Sequence, residues 1–188
     1  PVPYAIAEII KVVAMSRITD TYGPIPYSKI GADGKITIPY DSQEDVYNKF
    51  FEELNQAIEI LTENSGSALV ATADYVYSGN VAKWIKFANS LKLRLAIRVA
   101  YANKTLAQEM AESAVNHELG LIETNADNAT WKYFGTISNP LFVAVRYNEE
   151  ASGGDTHPAA DIICYMNGYN DNRRASYFEE SKWPGETY

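Results

Sequence analysis

The chain has 188 residues, 46% of them hydrophobic, and a formal net charge of −8. That length and apolar content specify a folded protein with one sizeable core or two small ones, and exclude a disordered chain. The acidic balance disfavours nucleic acid as a partner, and the single cysteine, Cys164, excludes an internal disulfide or a multi-cysteine metal centre.

Residues 5–18 read as a helix, with Ile6, Ile9, Ile10, Val13 and Ala14 at three-to-four spacing. Thr19-Asp20-Thr21-Tyr22-Gly23-Pro24-Ile25-Pro26 is expected to stop it, because a glycine and two prolines impose a turned or extended path. A loop runs on to about Asp41, with Ala32-Asp33-Gly34 as a tight turn. Ser42 with Asp45 resembles a capping box and opens the next helix. There Val46, Tyr47, Phe50, Phe51, Leu54, Ala57, Ile58 and Leu61 keep one face, while Glu44, Asp45, Glu52, Glu53, Glu59 and Glu63 lie largely elsewhere. Residues 64–67 form a small-residue break.

Residues 78–103 form the central helical stretch. Trp84, Ile85, Phe87, Ala88, Leu91, Leu95, Ala96 and Val99 share a broad side, and Leu93 and Ile97 fall nearer the opposite one. Little room is left for a solvated face, which predicts an inner helix of a layered α assembly. The stretch is also basic. No acidic residue lies between Asp74 and Glu109, whereas Lys83, Lys86, Lys92, Arg94, Arg98 and Lys104 do. Arg94 and Arg98, one turn apart, are expected to pair with acids of the second helix.

Thr105 and Gln108 give a second capping-box pattern, opening a shorter helix on Leu106, Met110, Ala111, Ala114 and Val115 that ends near Gly120. So short a link to the central helix predicts an antiparallel hairpin. From Asn125 onward the chain is rich in Asn, Gly, Asp and aromatics, and reads as loops and short elements against the helical layer. Residues 141–146 form a short strand or helical turn, and 159–167 a short helix in which Cys164 is expected to be buried.

No run approaches the roughly 20 apolar residues needed to span a bilayer, and there is no initiating methionine, signal peptide or lipidation site. The opening Pro1-Val2-Pro3 leads almost directly into a helical pattern, as in an internal piece of something longer. The expected organisation is mainly α: one incomplete domain over 1–188, with a helical scaffold at 1–122 and a loop-rich, aromatic part at 123–188.

Four segments together resemble the SusD/RagB family of outer-membrane lipoproteins from Bacteroidetes, particularly its SusD-like branch. They are residues 18–28, with Gly23-Pro24-Ile25-Pro26-Tyr27-Ser28; 40–47, with Tyr40-Asp41-Ser42; 74–96, with Ser78-Gly79-Asn80-Val81-Ala82-Lys83-Trp84; and 165–173. In the last, Asn172 stands where the family often has the proline of Asp-Pro-Arg. The segments run in family order across nearly the whole chain. The resemblance implies tetratricopeptide-like helix pairs in a surface lipoprotein that caps a TonB-dependent outer-membrane transporter and delivers oligosaccharide. Some relatives take peptides instead. Family members are typically longer and carry an N-terminal lipid-anchor cysteine, so membrane contact is expected only through an anchor that this chain does not hold.

A glycan surface needs flat aromatic faces for sugar C–H groups, with amide, carboxylate or guanidinium groups for the hydroxyls. Trp131 and Tyr133, preceded by Asn128, offer that mixture; Arg146 with Tyr147, and Trp183, offer weaker versions. These six are the candidate ligand-binding residues, set against the plainer role of plugging the helical layer. Tyr22, Tyr27, Tyr75 and Tyr77 read as structural. Glu52-Glu53 and Glu149-Glu150 are sequence neighbours; on a helix Glu52 and Glu53 diverge by about 100°, so catalysis by paired carboxylates is not expected. His117, His157 and Asp155 make a weak metal set, and Ser152-Gly153-Gly154-Asp155 lacks the lysine of a phosphate loop. No cofactor or metal is expected. A non-catalytic oligosaccharide-binding protein is the first reading, a helical scaffold for a peptide or protein partner the second, and a glycan hydrolase the third.

Overall fold

The computed structural model describes residues 1–31, 34, 37–67, 69–131, 133, 135–147 and 156–179. The expected turn at 32–34 falls mostly outside them, as do Glu149-Glu150, the 152–155 turn and Trp183. Two compact units divide the chain, Pro1–Lys132 and Tyr133–Tyr188.

The first unit carries α1 (Val2–Tyr22), α2 (Gln43–Glu63), α3 (Val81–Val99) and α4 (Lys104–Val115). Among the described residues there is no strand, and the β pairing there is an isolated bridge between Ile25 and Asp41, so the mainly α expectation holds. Chain direction follows from long-range bonds. Gln43 reaches the Thr19 carbonyl, Tyr47 reaches Asp20, and Glu53 pairs with Lys11, so α2 runs antiparallel to α1. The link at 100–103 folds α4 back on α3, and α2 and α3 pack together in the middle of the layer.

Each helix shows what its sequence controls. In α2 the Ser42 hydroxyl accepts the Asp45 N–H at 3.1 Å, and the buried face is the expected one, from Val46 to Leu61. Burying such a stripe contributes on the order of 10 kcal/mol before entropy. The face of α1 differs from expectation: Val2, Ala5, Ile6, Ile9, Val12, Ser16 and Thr19 are buried, while Ile10 is 46% exposed and Ala14 lies outside. This helix is almost as apolar outside as inside, so composition does not select its register. It also runs through the 19–22 segment. Its stop is Gly23, whose φ of 79° suits a residue without Cβ and whose N–H donates to Thr19 O at 2.8 Å.

At α4 the expected Thr105 cap is corrected to Asn103, whose side chain accepts the Leu106 N–H at 3.1 Å. The helix closes at Val115, before Gly120. His117 lies just beyond that end. Burial lowers its pKa, Nδ1 accepts the Leu119 N–H at 3.3 Å, and Nε2 lies 3.2 Å from the Thr62 hydroxyl. Because Thr62 donates to Ile58 O, that network assigns a neutral ring protonated on Nε2.

Helix α3 is an inner helix, packed on α2 and α4, but it keeps a solvated strip where Ile97 is 64% exposed. Lys92 is 4% exposed, and its ammonium donates to the Asn55 carboxamide oxygen at 3.1 Å. Burial holds its pKa below that of a free lysine. Lys92→Met is therefore expected to raise stability by about 1 kcal/mol at pH 7, because the stem is replaced by similar volume and exposed Asn55 turns to water. The unfolded chain binds the extra proton between the lowered pKa and the ordinary one, so wild-type stability rises over that alkaline window and the advantage of methionine shrinks. Urea titrations at pH 7 and pH 10 check both signs.

The second unit holds α5 (Pro140–Val145), α6 (Ala160–Gly168) and α7 (Arg174–Tyr177). Residues 141–146 thus take the helical alternative, with Asn139 capping the Leu141 N–H at 2.9 Å. Cys164 is exposed, against expectation. In α6 the buried residue is Met166, and the apolar run around the thiol does not reveal which side is covered.

Candidate ligand-binding platform

The site is built from two segments of the first unit that meet beside α3. The first is the loop at 74–79. Asp74, 6% exposed, accepts four hydrogen bonds: Val76 N–H at 3.0 Å and Tyr77 N–H at 3.1 Å on Oδ1, Gly79 N–H and the Trp84 indole at 2.9 Å on Oδ2. Burial pushes its carboxyl up, but the bonds from Trp84, Tyr77, Gly79 and Val76 outweigh that and hold it below the usual range. The tight turn places Tyr77 inward, 7% exposed and edge-on to Trp84 at 5.3 Å, and leaves Tyr75 outward at 50%.

The second segment runs from Gly120 to Trp131. Asn89 donates to Gly120 O at 3.1 Å, and the Ile122 N–H donates to the Ser90 hydroxyl at 2.9 Å. Lys83 donates to Ala126 O, Lys86 pairs with Asp127 at 3.1 Å, and Tyr77 donates to Asp127 O at 2.8 Å. Asp127 is held below the usual carboxylate range, first by the Lys86 hydrogen bond. The Tyr77 hydroxyl is pushed up to about 12 by burial and by the charges of Asp127 and Asp74, so it stays a donor at neutral pH.

Trp131, 55% exposed, meets Tyr75 edge to face, with centroids 5.8 Å apart and planes at 61°. Asn125 and Asn128, exposed beside the 3-10 turn Asn125–Asp127, add amides, with Asn128 Nδ2 at 3.4 Å from Asn125 Oδ1. The result is an open pair of rings with neutral hydrogen-bonding groups upstream.

Of the six expected ligand residues, Trp131 and Asn128 fall within this unit. Tyr133, Arg146 and Tyr147 belong to the second. Tyr133 is 43% exposed, Tyr147 61%, and the Arg146 guanidinium lies 5.4 Å from the Phe142 ring centroid. Trp183 lies outside the described residues. Tyr75, expected to be structural, is the exposed partner of Trp131, since nothing in Asp74-Tyr75-Val76-Tyr77 tells which tyrosine faces out. Tyr22, also expected to be structural, is 77% exposed, whereas Tyr27 packs edge-on against Phe50 at 5.2 Å and donates to Glu53.

Apart from the ring pair, a concavity of about 590 Å³ lies where α1 and α3 end and α2 and α4 begin, lined by Asp20, Tyr47, Arg98, Val99 and Leu106 among others. Three of its polar side chains bond one another: Arg98 Nε to Asp20 at 2.9 Å and the Tyr47 hydroxyl to Asp20 at 2.6 Å. Arg98 thus pairs with an acid of α1, not of α2 as expected. Glu53 is engaged by Lys11 and Tyr27, and Glu52 by Lys49, so the two carboxylates diverge. Among the described residues no group of three His, Cys, Asp or Glu is placed to hold a metal, and no helix is long and apolar enough to cross a membrane.

The family model for SusD-like proteins, described as SusD and RagB outer membrane lipoprotein, matches residues 1–188. The chain belongs to the SusD/RagB family. A crystal structure of a SusD homologue from Bacteroides uniformis is 85% identical at TM-score 0.92, covering 100% of this chain and 38% of its own. A chitin-binding SusD homologue from Flavobacterium johnsoniae is 39% identical at TM-score 0.82, over 97% of this chain and 38% of that one. A SusD homologue from Bacteroides ovatus is 41% identical at TM-score 0.81, over 96% and 36%. This SusD-like chain therefore spans little more than a third of the length of the solved relatives it matches. No curated protein matches it.

Proposed function

We propose that this SusD-like chain is the helical scaffold, with part of the ligand surface, of a non-catalytic oligosaccharide-binding protein in an outer-membrane nutrient-uptake system. The observation that carries the reading is the exposed Trp131–Tyr75 pair beside Asn125 and Asn128, the mixture that sugar rings and hydroxyls require. Family membership and the chitin-binding homologue support glycan as the ligand class. Lys83 and Lys86 are engaged by Ala126 and Asp127, which favours a neutral sugar over an acidic one. Tyr133, Arg146, Tyr147 and Trp183 are proposed as further contacts. The protein acts at the cell surface through a lipid anchor of the full-length chain, handing ligand to a TonB-dependent transporter; these roles rest on the family alone.

Titration calorimetry of the full-length protein against neutral oligosaccharides, chito-oligosaccharides included, tests the reading. Binding is expected, with affinity lowered roughly tenfold or more by Trp131→Ala and by Tyr75→Ala, since each removes one stacking face. Absence of heat with every glycan, or heat only with peptides, would leave the scaffold reading. Release of reducing sugar lost on one carboxylate substitution would point to a hydrolase.

A further inference from the structure

Helix α3 carries five cations and no acid, which invites an external anion, but the structure uses four of those cations internally: Lys92 on Asn55, Arg98 on Asp20, and Lys83 and Lys86 on the segment beside them. Lys83, Lys86, Asn89 and Ser90 follow one another along α3, and each takes a group of the 120–127 segment. Asn89 and Ser90 hold its start at Gly120 and Ile122, whereas Lys86 and Lys83 hold its end at Asp127 and Ala126. The segment therefore lies along the helix in the opposite direction. Trp131 emerges shortly after the last tie.

Tyr77 adds the cross-link. Its ring packs on Trp84, 6.0 Å below the Lys83 ammonium, and its hydroxyl holds the Asp127 carbonyl. It is two residues from Tyr75, and Asp127 is four from Trp131, so one hydroxyl joins the loops bearing the two rings. The Lys86–Asp127 pair is partly shielded, with side chains 28% and 13% exposed, where an ion pair is less screened than on open surface.

We infer that Lys86, Lys83 and Tyr77 are positioning residues: α3 straps the 120–127 segment so that Trp131 is set against Tyr75 before ligand arrives. The inference rests on that ring pair being the ligand platform. A platform ordered in advance does not lose side-chain and loop freedom on binding, so loosening it lowers affinity without removing any ligand contact.

The test uses the full-length protein carrying 5-fluorotryptophan, with the Trp131 fluorine resonance identified by its loss in Trp131→Phe. In the Lys86→Met, Tyr77→Phe double variant that resonance is expected to move toward the free fluorotryptophan position. Affinity for the oligosaccharide that binds wild type should fall roughly tenfold, while the melting temperature changes little. Lys86→Arg, which keeps the cation, should restore both readouts, and Lys86→Met alone serves if the double variant does not fold. A resonance that stays in place, or a freed Trp131 with undiminished affinity, overturns the inference. A wild-type protein that binds no glycan defeats the platform reading instead, and the resonance still decides whether the strap exists.

Discussion

Gly79→Ala is expected to lower stability by about 3 kcal/mol or more, a loss that chemical denaturation of purified protein reads directly. Gly79 is buried with φ +85°, and a Cβ there would overlap the Leu69 carbonyl oxygen, lying 3.1 Å from its carbon and 3.6 Å from the Ala71 Cα. Those neighbours are backbone and cannot rotate away. Gly120→Ala is the control. Its φ is +68°, but the nearest atom to a new Cβ is a Glu123 carboxylate oxygen at 3.9 Å, so only the left-handed conformation is penalised, at about 1 kcal/mol. Similar losses for the two variants would show that the Leu69 approach carries no weight. Because Gly79 closes the loop that turns Tyr75 outward, the first variant should also weaken the platform.

Asp74→Ala is the second large effect, also about 3 kcal/mol. It strands the N–H groups of Val76, Tyr77 and Gly79 and the Trp84 indole, all now satisfied by one carboxylate. Asp74→Asn keeps the size but has one oxygen where two are used. The pH dependence follows from the lowered carboxyl pKa. A carboxyl whose folded-state pKa lies below its unfolded value contributes stability that is present above the unfolded value, about pH 4, and lost as pH falls through the folded one. Denaturation midpoints of wild type should therefore drop below about pH 4 by more than those of Asp74→Asn. Parallel acid profiles would show that Asp74 contributes no such component.

Legibility from sequence varied with how sharply each segment separates its faces. The stripe of α2 was readable residue by residue, because glutamates and aspartates flank it and leave one apolar side. In α1, Tyr4, Ile10, Ile18 and Tyr22 stay exposed opposite an equally apolar buried face, and no local rule chooses between them. The α4 cap was misplaced because Asn103 and Thr105 are both cap-forming residues, and only Asn103 reaches the Leu106 N–H. In the platform, Trp131 and Asn128 stood out as an aromatic beside amides. Tyr75 did not, since its direction depends on the bonds around Asp74.

Local patterning by itself determined that α1 to α4 and the helix near residues 160–168 exist, the hairpin forced by the link at 100–103, and the segments that carry the family resemblance. These features follow from side-chain spacing and backbone preference within a few residues. Tertiary structure decided the rest: that Lys92 is buried against Asn55, that Arg98 turns to Asp20, and that Lys83 and Lys86 hold a loop. Lys83 and Ala126 stand 43 residues apart, Lys86 and Asp127 41. A charged side chain takes whichever partner the packed helices bring within reach, and partners so distant in sequence are set only when the core closes.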